Sequence, residues 1–198
     1  GCGFDVPNQI AAVSGEGIDQ HIAALYQLKG LGLLIGKIVL VGGEAALAKS
    51  LAEYITQIRL VDIADQIELV TNGLYPQGVG QEVLKQLDSL VISDYICTDR
   101  FETHWRQYLE ASGYSNKIDF RRKSAWDDLL SEVENDVSET EEHWNTCFYR
   151  SYDVTLERGR LFTCSRIAKK NWDEQGLLIE SITSVEKIGE YLSSAKPK

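Results

Sequence analysis

The chain has 198 residues, 43% of them hydrophobic and 25% charged, which suits a globular protein with one sizeable core, or one domain with an appendage. A formal net charge of −10 repels polyanions, so nucleic acid is not an expected partner, and the run Arg121-Arg122-Lys123 is too short to reverse that. No apolar stretch approaches the roughly 20 residues of a bilayer span, and the first thirty residues lack a basic start followed by an apolar core; no membrane partner is expected, and the expected location is cytoplasmic. With no methionine and an opening GCGF, the chain reads as an excerpt or processed piece whose natural start lies upstream.

Residues 18 to 29, IDQHIAALYQLK, place Ile18, Ile22, Leu25 and Leu28 at helical spacing. KIVLV at 37 to 41 is continuously apolar, as a buried parallel strand should be, and Ala45 to Ile58 is helical. A second strand, IELV at 67 to 70, runs into Thr71-Asn72-Gly73; residues 79 to 87 read as helix and SLVIS at 89 to 93 as a third strand. A helix over 99 to 112 and a fourth strand, KIDF at 117 to 120, follow. Strands alternating with helices at this spacing give an α/β class with a parallel sheet, open or curled into a partial barrel.

The acidic stretch DDLLSEVENDVSETEEH, 127 to 143, reads as a solvated helix or loop. YDVTLERGRLFTC then shows two alternating runs joined by Glu157-Arg158-Gly159, a β-hairpin with glycine in its turn. The chain is therefore expected to divide into a core, 1–143, and a small extension, 144–198, of which residues 168 to 198 receive no assignment.

Gly42-Gly43-Glu44 closes the first strand. A glycine-rich strand-to-helix turn commonly meets a phosphate, because bare backbone N–H groups at a helix N-terminus attract anions. Asp62, about twenty residues on, could then hold a ribose in a Rossmann-type nucleotide-binding oxidoreductase. GGEAAL lacks the third glycine of that fingerprint, and Glu44 would stand against the pyrophosphate.

Gly-Gly-Glu after one strand, Thr-Asn-Gly after the next and Ser93 at the end of the third together resemble the radical S-adenosylmethionine enzymes. The resemblance implies a partial parallel (β/α) barrel that binds S-adenosylmethionine at the C-terminal ends of its strands. There Gly42, Gly43 and Glu44 would hold the amino group of the methionine moiety, a ligand for which a carboxylate has the right charge. The family commonly has proline next, where this chain has Ala45. Cys2 lies in the place of the third cysteine of the family's CxxxCxxC loop, one thiolate of a four-iron four-sulfur (4Fe-4S) cluster with an open iron. The first two cysteines of that loop would lie upstream of Gly1.

Eleven residues separate Cys147 from Gly159 and four separate Gly159 from Cys164, which is similar to the pattern opening the SPASM and twitch extensions of the same family. In those extensions the pair helps to bind an auxiliary iron–sulfur cluster; the alternative is a hairpin with two buried cysteines. Asn72 could reach S-adenosylmethionine or simply form an Asn-Gly turn. Ser93 could bind a ribose hydroxyl or serve packing. Arg121 could pair with a carboxylate of cofactor or substrate, or form a surface ion pair. Cys97 reads as an inert buried thiol.

His21, His104 and His143 show no metal-ligand spacing, and neither CxxC, HxxxH nor GxSxG occurs. The function implied by the resemblance is generation of a 5'-deoxyadenosyl radical that abstracts hydrogen from a peptide or small-molecule substrate. A flavodoxin or ferredoxin would be the reductant. The rival class is a noncatalytic binding or assembly subunit of the same fold.

Overall fold

A computed structural model of the chain describes residues 18–122, 124, 141–142, 145–147, 153–169 and 175–194. Cys2, most of the acidic stretch and the expected boundary at 143/144 lie outside the described residues. The chain divides into two units, residues 34–126 and residues 1–33 with 127–198. No helix among the described residues is long and apolar enough to cross a membrane.

Unit 34–126 contains a four-stranded sheet in sequential order, β1 (Ile35–Leu40), β2 (Ala64–Thr71), β3 (Ser89–Asp94) and β4 (Lys117–Arg122), every pair parallel. Parallel neighbours need crossovers, which α2 (Leu51–Val61), α3 (Gln81–Leu84) and α4 (Asp99–Ala111) supply in turn. Leu51, Ile55 and Ile58 recur on one side of α2 and are all buried, each burial contributing roughly 1.5–3 kcal/mol. The register puts Ile38, Ile67, Leu90 and Ile118 on one face, with Leu40, Leu69 and Ile92 further along it. That face meets the helices: the Arg106 guanidinium of α4 lies 4.8 Å from the Phe120 ring centre, and Ile92 lies beside Phe101 and Trp105 around Gly73.

Because side chains alternate along a strand, the other face carries Lys37, Val39, Glu68, Val70, Ser89, Val91, Ser93, Asp119 and Arg121. The helix expected over 45–58 is divided: a 3-10 turn at Ala45–Leu47 precedes α2, and Glu44 caps that turn.

In the second unit, α1 (Ile18–Gly30) buries Ile22, Ala24, Leu25 and Leu28. A hairpin of β5 (Thr155–Glu157) and β6 (Arg160–Phe162) turns at Arg158-Gly159, with φ of 49° and 63°, the two positive values of a type I′ turn. Holding arginine left-handed is offset by its contacts, an ion pair with Glu157 at 2.9 Å and a hydrogen bond donated to the Ala168 carbonyl. A third antiparallel strand, β7 (Leu177–Leu178), lies on β6, with α5 (Ser165–Lys169) between them in sequence and α6 (Val185–Ser194) after.

Candidate functional site

The C-terminal ends of β1, β2 and β3 bring the singled-out residues of this unit to one edge of the sheet. Gly42 and Gly43 follow β1 after one residue, Val41. Glu44 Oε1 accepts from the Thr71 hydroxyl at 2.7 Å and the Ala46 N–H at 2.9 Å, and Oε2 accepts from the Asn72 N–H at 2.7 Å. Three short charge-assisted bonds use most of a carboxylate's acceptor capacity. Glu44 therefore ties the turn after β1 to the turn after β2, and the direct ammonium contact expected of its carboxylate would compete with these bonds.

The second turn is fixed from several sides. Gly73 has a φ of 73°, its N–H donates to Thr71 Oγ1 at 3.1 Å, and its carbonyl accepts from Trp105 Nε1 at 2.9 Å. A Cβ at Gly73 would stand 2.6 Å from Phe101 Cζ, so space and conformation both call for glycine there. Asn72 Oδ1 accepts from the Leu74 N–H at 2.9 Å, the Asx arrangement. The Asn72 side-chain amide nitrogen and the Ser93 hydroxyl make no hydrogen bond among the described residues, so both are available to a ligand at this edge.

Ser93 and Arg121 are register partners on neighbouring strands, on the face away from the helices. Arg121 forms an exposed ion pair with Asp119 at 2.8 Å, the kind worth little in stability and easily exchanged for another anion. At the end of β3, Asp94 is 2% exposed; its Oδ1 accepts from the Ile96 and Cys97 N–H groups, and Arg122 lies 3.4 Å from its Oδ2. Cys97 is half-buried with a φ of 57°, not the core thiol expected, because Asp94 draws its N–H into the loop.

Asp62, the ribose candidate of the nucleotide reading, caps the end of α2 and precedes β2. It therefore sits at the opposite edge of the sheet from Gly42, with an eight-residue strand of roughly 25 Å between the edges. The nucleotide reading loses its acidic ligand.

The resulting arrangement is a parallel sheet with two interlocked turns and two available donors at its C-terminal edge. It is similar in structure to the crystal structure of BtrN in complex with AdoMet and 2-DOIA: the TM-score is 0.56 at 15% identity, over 95% of this chain and 77% of that one. The chain shares with that protein an α/β fold built on a parallel sheet. No family model matches the sequence, and no curated protein matches it in sequence.

In this fold the GGE turn and the strand ends form one connected edge, whereas Cys97, Cys147 and Cys164 join no metal-holding group among the described residues. Cys147 and Cys164 are half-buried and not disulfide-bonded, and no group of three His, Cys, Asp or Glu that could hold a metal occurs among the described residues. In the sequence Thr71 stands out only as part of the Thr-Asn-Gly run, with nothing to mark its hydroxyl as the group that meets Glu44. Residue-by-residue sequence reading passed over Glu68, whose signal was a single acid inside the apolar run IELV.

Proposed function

We propose that the chain is the barrel core and SPASM- or twitch-like extension of a radical S-adenosylmethionine enzyme acting on a peptide or small-molecule substrate. The single observation that carries the reading is the Glu44 bridge, which fixes two strand-end turns side by side and leaves the carbonyls of Gly42 and Gly43 as the acceptors for an ammonium. A Cβ at Gly42 would meet nothing within 4 Å, so there is room for a ligand against that backbone.

Gly42 and Gly43 bind the amino group of S-adenosylmethionine, and Glu44 holds their turn in place. Asn72 donates from its side-chain amide, Ser93 binds a ribose hydroxyl, and Arg121 exchanges Asp119 for a carboxylate of cofactor or substrate. When bound, S-adenosylmethionine supplies hydrogen-atom abstraction; the residues here bind and orient it. Cys2, Cys147 and Cys164 are the thiolates assigned to iron–sulfur clusters, with a flavodoxin or ferredoxin as electron donor. The described residues assemble no three-ligand set.

The test is S-adenosylmethionine binding by titration calorimetry on the wild type and on Gly42→Val. Since the Gly42 position is open and the backbone there is unstrained, the variant should fold with an unchanged melting temperature and lose at least about tenfold in affinity, the cost of blocking one good polar contact. Equal affinity would overturn the assignment of this turn. Anaerobic reconstitution with iron and sulfide, followed by assay of 5'-deoxyadenosine, tests the activity.

A further inference from the structure

On the sheet face away from the helices, Glu68 of β2 is the one carboxylate of that face held in the sheet's middle strands. Its side chain is only 9% exposed. Oε2 accepts from Lys37 Nζ at 3.1 Å and from Ser89 Oγ at 2.7 Å. Nothing among the described residues donates to Oε1. A buried carboxylate oxygen without a donor is costly, and native structures rarely leave one without a reason.

Glu68 stands three residues before Thr71, so it lies about 10 Å below the strand ends at about 3.3 Å per residue. Its neighbours on the β1 side, Lys37 and Val39, are exposed; Val39 is its register partner and is 42% exposed. Val41, 45% exposed, continues this apolar path toward Gly42.

We infer that Glu68, flanked by Lys37 and Ser89, is a subsite for the amine or hydroxyl group of a small-molecule substrate whose apolar edge lies along Val39 and Val41. The inference rests on the proposed cofactor site, since it places a substrate on the same face beneath Gly42 and Gly43. The chemistry follows from the partners: Oε1 is an acceptor only, so the group must donate. An anion would be repelled by the carboxylate. A depth of about 10 Å suits a compact molecule entering from the β1 side rather than a peptide main chain lying across the strand ends.

The experiment uses the full chain with carbon-13-labelled valine methyls, Val39, Val70 and Val91 lying around Glu68 and Val41 beneath Gly42. The probes are cyclohexylamine, cyclohexanol, cyclohexanecarboxylate, a capped serine amide and, separately, S-adenosylmethionine. Cyclohexylamine and cyclohexanol should shift the Val39 and Val70 signals while cyclohexanecarboxylate does not, and Glu68→Gln should weaken the amine by about tenfold, as loss of a charged acceptor does. Lys37→Met, with its folding checked by melting temperature, should strengthen the amine relative to the alcohol, because the carboxylate then lacks its internal cation.

Shifts that are equal for all three ring probes, or absent, overturn the inference and leave an ordered water as the partner of Oε1. Binding of the capped serine amide alone overturns the small-molecule class. If S-adenosylmethionine shifts Val41 but no ring probe shifts Val39, this inference fails and the cofactor site stands. Where ring probes bind through Glu68 and S-adenosylmethionine does not shift Val41, the cofactor site fails and the subsite stands.

Discussion

Glu44→Ala withdraws an acceptor from three donors at once, the Thr71 hydroxyl and the Ala46 and Asn72 N–H groups. At about 1–3 kcal/mol for a buried partner left unsatisfied, and with part of the loss recovered by water at this half-buried position, the variant should be destabilised by about 2 kcal/mol in a denaturant titration. Glu44→Gln keeps one carbonyl oxygen for Oε1's partners but offers an amide where Asn72 N–H needs an acceptor, so about half the loss is expected. The pair separates two roles. If Glu44 acts by holding the turns, S-adenosylmethionine affinity falls in step with stability in both variants; if its carboxylate touches the ammonium, Gln loses as much affinity as Ala although it loses only about half the stability. Legibility at this scale was uneven for a physical reason. The charge of Glu44 pointed away from phosphate and toward an ammonium, but the three donors that absorb that charge include two contributed by the next strand, and a residue's long-range partners are not written in its neighbours.

The connection between α4 and β4 holds Tyr114, whose pKa is pushed up to about 12 from 10.0 by burial first, then by the charges of Asp88 and Glu68. A raised folded-state value means the fold favours the neutral phenol, so its stabilisation is fully present below pH 10 and is lost as pH rises through about 12. Tyr114→Phe should therefore flatten the fall in stability between pH 10 and 12, read as denaturation midpoints at pH 9, 10.5 and 11.5. Tyr191, raised by burial in the other unit, keeps a residual slope, and an unchanged slope in Tyr114→Phe would contradict the assignment. At the scale of elements the four strands of the sheet were readable as short runs rich in apolar residues bounded by turn residues. β2 nonetheless begins at Ala64 rather than Ile67, since Asp65 and Gln66 are exposed and carry no apolar signal. The expected helix over 79–87 shrinks to Gln81–Leu84, because the N–H groups of Gln86 and Leu87 bond three residues back rather than four, and Asp88, which accepts from Ile67 N–H and Arg59 at 2.6 Å, anchors the chain just before β3. β7 has two residues, and its partners Arg160 and Leu161 lie far back along the chain, so no local pattern announces it.

Across the whole chain, the two units hold different parts of the proposed chemistry: residues 34–126 contain the GGE and Thr-Asn-Gly turns, and the other unit contains Cys147 and Cys164. The hairpin between those cysteines was legible from alternation and from Arg158-Gly159, whereas thiolate convergence on iron is a property of three or more residues and not of any one spacing. A double variant, Cys147→Ala with Cys164→Ala, tests the cluster assignment without touching the strand-end turns. After anaerobic reconstitution, iron per chain should fall below the wild-type value if the pair binds an auxiliary cluster; an unchanged count makes both cysteines structural. The control is ligand stabilisation. S-adenosylmethionine at a hundred times its dissociation constant should raise the unfolding free energy by about 2.7 kcal/mol, in the double variant as in the wild type, because none of its proposed ligands has been altered. A variant that lost iron and this stabilisation together would have been damaged generally, while loss of iron with the stabilisation kept assigns the two thiolates to metal and the Gly42-Gly43-Glu44 turn to the cofactor, each on its own measurement.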